Sequence, residues 1–224
     1  MARPRRRRDH FGQSTPDARI GGHVHPLRLG ALAEDAILPC VSSAHAASVE
    51  TSIRALSASL DAHFAALEPW LACEESLWRA RPAEGAWSVA EVLEHVALCN
   101  RYLLLLLEKL RRRALRRLAA GAPLPSAASD FALLDKLSQR EFRWTCPQHM
   151  TPTGTAAREA LARELAGQRE RCLALLRELP HGEGALYSLR MSVVDARLDL
   201  YQYLRLVDLH LQRHLRQMER ARAR

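Results

Sequence analysis

From about Ser48 onward, apolar residues return every three or four positions, the spacing that lines one face of an α-helix. Ile53, Leu56, Leu60, Phe64, Leu67 and Leu71 make a first stripe, which Pro69 should kink or restart. The segment closes before Pro82, and Gly85 marks a short turn. A second helix is expected to open at Trp87-Ser88-Val-Ala-Glu91. There Ser88 reads as the N-cap, Glu91 completes a capping box, and Trp87 and Val92 are spaced as a hydrophobic staple. It should run to about Leu118, with Val89, Val92, Val96, Leu103, Leu107 and Leu110 on one side.

Two prolines and a glycine between Gly121 and Ser129 break the period, and a short helix is expected around Phe131 to Phe142. A loop holding Trp144, Pro147, His149, Pro152 and Gly154 follows. A third long helix should open near Thr155 and end before Pro180, and His181-Gly-Glu-Gly184 reads as a turn. The last helix is expected to start between Ser192 and Leu198 and to run to about Arg220. Its stripe is Leu200, Leu204, Val207, Leu211, Leu215 and Met218. The resulting fold class is all-α, a four-helix bundle of the up-down-down-up type with a long crossover between helices 2 and 3. Residues 1–46 lack a sustained period and carry arginines, Gly21-Gly22 and the early histidines His10, His23 and His25. They read as a disordered or loosely packed basic extension, or as an over-extended gene start, ahead of a bundle at 47–220.

Composition agrees with helix, since Ala and Leu dominate and aromatic residues make up 5% of the 224 positions. The net charge of +8 is almost wholly arginine, only Lys109 and Lys136 being lysines. A GC-rich genome explains that bias. An acidic partner would need the charge gathered on one face. Arg111 to Arg117 and the tail from Arg213 are the patches to consider, but no aromatics interleave with them, so nucleic acid is not the expected partner. Five scattered cysteines without a C-x-x-C pattern argue against a disulfide framework and for a reducing cytoplasm. The longest apolar run, Tyr102 to Leu107, is too short to cross a membrane. Its leucines point around the whole helix, so some must meet another element or another subunit, and a homodimer is expected.

Candidate chemistry centres on His210 and His214, which sit one turn apart on the last helix and can reach a single point. His214 falls within the apolar stripe and His210 at its edge, while His95 holds a comparable edge position on the second helix. Two readings stand. The three imidazoles either converge on a metal ion, or they are half-buried histidines satisfied by neighbours.

Arg81-Pro-Ala-Glu-Gly-Ala-Trp87-Ser88-Val-Ala-Glu-Val-Leu-Glu-His95 resembles the opening P-x-x-G-x-W-S-x-x-E-x-x-x-H motif of the DinB-like (DNA-damage-inducible) superfamily. His210-Leu-Gln-Arg-His214-Leu-Arg-Gln217-Met resembles its closing H-x-x-R-H-x-x-Q helix, and Cys146 to Pro152 its intervening loop. The resemblance covers roughly residues 50 to 220. It implies a four-helix bundle whose single divalent metal ion is held by His95, His210 and His214. Three neutral imidazoles leave at least one position open, and the ion could be zinc, nickel, iron or manganese.

The resemblance also implies an enzyme of the bacterial cytoplasm that adds a low-molecular-weight thiol to an electrophile, with the metal activating the thiol. A metal-dependent hydrolase is the close variant, and a non-catalytic metal-binding or interaction bundle is the alternative. No catalytic acid or base is identifiable from the residues. His63 is a fourth ligand, a base or a satisfied core histidine. Cys99 is a metal neighbour or a small buried hydrophobe. Gln217 should support a ligand or a substrate, Asp208 should pair with an arginine, and Glu94 points away from the His95 face. His149 and Trp144 stand in the loop expected to cover the site.

Overall fold

In a computed structural model, the chain is described over residues 43–135, 146–191 and 195–222. The expected extension falls outside these residues up to position 42, as do Trp144 and all but the start of the short helix expected at 131–142. Helix α1 spans Ser43–Ala65, a few residues earlier than the apolar period suggests. The chain then restarts as α2, Glu68–Leu71, with Pro69 in its first turn, and α3, Glu75–Arg79, follows before Pro82. A proline is tolerated in a first turn because the N–H it lacks has no helical partner there.

Helix α4, Val89–Ala119, starts on the expected capping box. Ser88 Oγ accepts from the Glu91 N–H, and the Glu91 carboxylate accepts from the Ser88 N–H at 2.8 Å. A short helix α5, Ala132–Asp135, lies in the crossover, which continues through the 3₁₀ turn Gln148–Met150 to α6, Arg158–Glu178. After a second 3₁₀ turn, Glu183–Leu186, comes an antiparallel hairpin that apolar periodicity did not announce. Its strands are β1, Leu189–Met191, and β2, Ala196–Leu198. Three-residue strands are too short for alternation to stand out. The last helix, α7, therefore begins only at Leu200 and ends at Arg222. Asp199 caps it: the carboxylate accepts from the Gln202 N–H at 2.9 Å, and the Gln202 side chain accepts from the Asp199 N–H at 3.0 Å.

The four long helices form an up-down-down-up bundle. Helix α1 runs parallel to α7, Ser59 and His63 meeting Asp208 while Trp70 lies beneath Arg222 near both C-terminal ends. It runs antiparallel to α6, with Asp61 on Arg169 and Glu50 on His181. Helices α4 and α6 are parallel, Ala97 meeting Gln168 and Arg111 meeting Glu178 further along. The stripe of α7 is buried throughout, as are Leu56, Leu60 and Phe64 of α1 and Leu67 at the cap of α2. On α4, Leu103 and Leu107 are buried, whereas Leu105 is 67% exposed, so the leucine run is divided between core and surface. No helix among the described residues is long and apolar enough to cross a membrane.

Tyr201 ties the start of α7 to the end of α6, donating to the Leu179 carbonyl while accepting from the Gly184 N–H. A Cβ on Gly184 would stand 2.9 Å from the Tyr201 ring, which is why glycine occupies that place. Replacing Asp199 by alanine removes the α7 cap and the acceptor for Ser129 Oγ. We expect it to lower the free energy of unfolding by about 1–2 kcal/mol in urea titrations, and Asp199→Asn, which keeps an acceptor oxygen, to lower it less.

Candidate metal centre

His95 stands in the second turn of α4, and His210 and His214 in the middle of α7. Because these two helices run antiparallel, the three rings arrive at the same level of the bundle. One nitrogen from each lies within 4.8 Å of the other two. Ring centroids are 4.4 Å apart for His210 and His214, 4.9 Å for His95 and His214, and 5.2 Å for His95 and His210. The Nε2 atoms of His210 and His214 are 3.0 Å apart. A tetrahedral zinc ion with bonds of about 2.0–2.1 Å would separate its donors by roughly 3.3 Å, so the His210–His214 pair is already near that spacing and the whole set would draw together to hold a small divalent ion.

The ring orientations are set by neighbours. The Met150 carbonyl lies 2.8 Å from His95 Nδ1, and since a carbonyl only accepts, Nδ1 carries the proton and Nε2 keeps its lone pair. Gln217 Oε1 lies 2.9 Å from His214 Nδ1 and acts in the same way, the supporting role expected of it. Trp87 packs on the His95 ring at 4.8 Å between centroids, so the residue before the N-cap also braces the histidine two turns on.

Burial keeps the cluster uncharged. It pulls His214 down to about 3, with the charge of His95 adding to the effect. Burial also holds His210 well below its ordinary range, reinforced by His214, His95 and Arg213. His95 is lowered as well, burial outweighing the Met150 carbonyl. Neutral imidazole is the ligating form, so the site holds its donors ready for a cation and resists protons.

The crossover closes over this end of the bundle. Glu94, one residue before His95, accepts from Thr153 Oγ1 and from the Gly154 N–H, both at 2.7 Å. It points away from the cluster, as the helical turn requires, and fastens the loop. Gly154 has φ +71°, a left-handed backbone that favours glycine, and its carbonyl accepts from Arg79. The Glu94 clamp left no mark in the sequence, because its partners lie about sixty positions away and one is a backbone N–H. The Met150 carbonyl is invisible for the same reason.

The remaining candidates separate cleanly. His63 lies outside the cluster, 2.6 Å from the fully buried Asp208, which also accepts from Ser59 and pairs with Arg205. It is a half-buried histidine satisfied by that carboxylate. Cys99 touches His95, its sulfur 3.6 Å from Nε2, and burial pushes its thiol up to about 12, so it stays neutral. Cys146 Sγ lies 3.7 Å from His95 Nδ1. His149 is exposed and packs on Tyr102 at 5.7 Å. A cavity of about 380 Å³ joins these groups, bounded by the three histidines, Trp87, Tyr102, Leu103, Met150, Leu206 and Arg213.

An all-α bundle with a tri-histidine cluster on the wall of an open cavity defines a class of helical proteins that could bind a metal ion between two helices. The chain belongs to the DinB superfamily, whose sequence model matches residues 48–218. No match was found among curated proteins or among solved structures.

The depressed histidine pKa values carry a sign for stability. Unfolded imidazoles take up protons near pH 6.5, before the buried ones do, so acid favours the unfolded chain. Metal-free protein is expected to lose thermal stability steadily as pH falls from 7.5 to 5. A His214→Phe variant should show a flatter dependence over that range. Equal slopes in the two proteins would contradict the buried, neutral state of His214.

Proposed function

We propose that His95, His210 and His214 hold one divalent metal ion and that the protein is a metal-dependent enzyme acting on a small molecule brought to that ion. The observation that carries this reading is the place of the cluster: its donors line an open cavity, whereas a structural metal site is closed on all sides by protein. A bound divalent ion would supply a positive charge that lowers the pKa of a thiol or water molecule brought to it. The chain's own residues do the rest. Met150 and Gln217 orient two of the donors, and Trp87 and the Glu94-fastened loop restrict water.

Within that class, the reaction proposed is transfer of a low-molecular-weight thiol to an electrophile, supported by family membership and by a cavity that reaches the three histidines. The cytoplasm is the proposed compartment, in keeping with the free cysteines Cys73, Cys99, Cys146 and Cys172. A homodimer is proposed to cover Leu105 and Tyr102, both exposed on α4.

Wild-type protein purified without chelator is expected to carry about one metal ion per chain by elemental analysis. His214→Ala, which removes one of three donors, should carry less than about a tenth as much. Wild type without metal, and not reloadable, would overturn the reading. With metal present, the protein should accelerate conjugation of monochlorobimane with bacillithiol, mycothiol or glutathione. Acceleration of ester hydrolysis alone would point to a hydrolase, and no turnover at all to a passive binding bundle. Sedimentation equilibrium should give twice the chain mass, and Leu105→Glu should return it to the monomer.

A further inference from the structure

Two adjacent residues of α4 grip the crossover at separate points. His95 Nδ1 donates to the Met150 carbonyl at 2.8 Å, and Glu94 accepts from Thr153 Oγ1 and from the Gly154 N–H, both at 2.7 Å. Successive side chains leave a helix about 100° apart, so the two contacts meet the loop from different directions. Thr151 and Pro152 alone separate Met150 from Thr153. The ring of Pro152 fixes its φ, and the Thr151 N–H donates to the Gln148 carbonyl at 3.1 Å. A segment so short and so restrained has little slack, and a shift at Thr153 or Gly154 carries the Met150 carbonyl with it. Gly154 rests on the same helix: a Cβ there would lie 3.4 Å from Glu91 Cγ, and its carbonyl accepts from Arg79. Glu94 itself is buried, so its carboxylate depends on these loop donors in place of water.

We propose that Glu94 is a positioning residue of the metal centre. Its carboxylate holds the loop at the level where the Met150 carbonyl meets His95 Nδ1, and so keeps the ring proton on Nδ1 and the lone pair of Nε2 turned to the ion. The part played by the ion rests on the metal reading above, while the link from Glu94 to the His95 tautomer does not. An imidazole without that acceptor divides its proton between the two nitrogens, and the fraction protonated on Nε2 has no lone pair there to give. The coupling is reciprocal, as linkage requires. A cation on Nε2 makes the Nδ1–H a stronger donor, so occupancy of the site tightens the hold on Met150 and on the residues that follow it. Docking of the crossover and binding of the ion thus become one equilibrium, with Glu94 biasing it toward the docked form.

The test measures zinc affinity by competition with a chromophoric chelator, and the His95 tautomer by ring-nitrogen chemical shifts of metal-free protein. Glu94→Ala should weaken zinc binding by about ten-fold, the lower end of what losing a ligand's support costs. Glu94→Gln, which keeps one acceptor oxygen, should fall between Glu94→Ala and wild type. Thr153→Val, which removes one tether from the loop side and leaves α4 intact, should act in the same direction as Glu94→Ala and less strongly. Metal-free wild type should carry the His95 proton on Nδ1. Both Glu94→Ala and Thr153→Val should show a mixture at that ring, with His214, supported by Gln217, unchanged. Zinc should slow amide exchange at Thr151, Thr153 and Gly154 in wild type, and slow it less in Glu94→Ala. Unchanged zinc affinity in the variants, or an unchanged His95 tautomer, overturns the proposal. An equal disturbance of His214 overturns it too, since the effect is then a general loosening. If Glu94→Ala does not fold, Thr153→Val decides by the same readouts. Should wild type fail to bind zinc, the metal reading falls and the tautomer decides alone: a change confined to His95 upholds the link to Glu94, and no change overturns it.

Discussion

Two consecutive helices of a bundle that run in the same direction cannot be joined by a short turn, because the chain must travel back along the bundle to begin the second. Helices α4 and α6 are such a pair, and the segment between Ala119 and Arg158 is the return path. The rest of the arrangement follows from where that path ends. It arrives at the N-terminal end of α4, beside His95, and is fastened there by Glu94 and by the His95 ring itself. The crossover thereby becomes a wall of the cavity. Had α4 and α6 been antiparallel neighbours, a tight turn would have served, and the histidine cluster would have opened directly to solvent.

The same topology explains how a polar cluster survives beside a core. His95 and His214 are buried, and an unpaired polar atom in such a place costs about 1–3 kcal/mol. The Met150 carbonyl and the Gln217 amide each satisfy one ring nitrogen and direct the other inward. Burial keeps the imidazoles neutral, so the three rings can approach without repelling one another. Stability and readiness to bind a cation thus have one cause. Asp208, on the far side of the same helix, shows the complementary solution, a buried carboxylate surrounded by Ser59, His63 and Arg205.

Much of this was legible along the chain. The stripes of α1, α4 and α7 appear as helical periods, and the Ser88/Glu91 box appears at its predicted place, because both depend on residues within a turn or two of each other. His210 and His214 were legible as a pair for the same reason. The hairpin Leu189–Leu198 was not, its strands being too short to show a period. Nor was the Glu94 clamp, whose partners are distant and partly backbone. His63 was ambiguous by position alone, and only its contact with Asp208 places it away from the site.

The sequence by itself determined which segments are helices, where α4 starts, and which face of each long helix is apolar. These are local properties, set by side chains within a few residues of one another. Only the tertiary structure decided that His95 meets His210 and His214, that the crossover covers them, and that Arg213 shares their cavity. Each of those facts requires α4 and α7 to lie antiparallel at one particular level. That level is set by the packing of whole helix faces and by contacts between residues far apart in the chain, and no short stretch of sequence contains it.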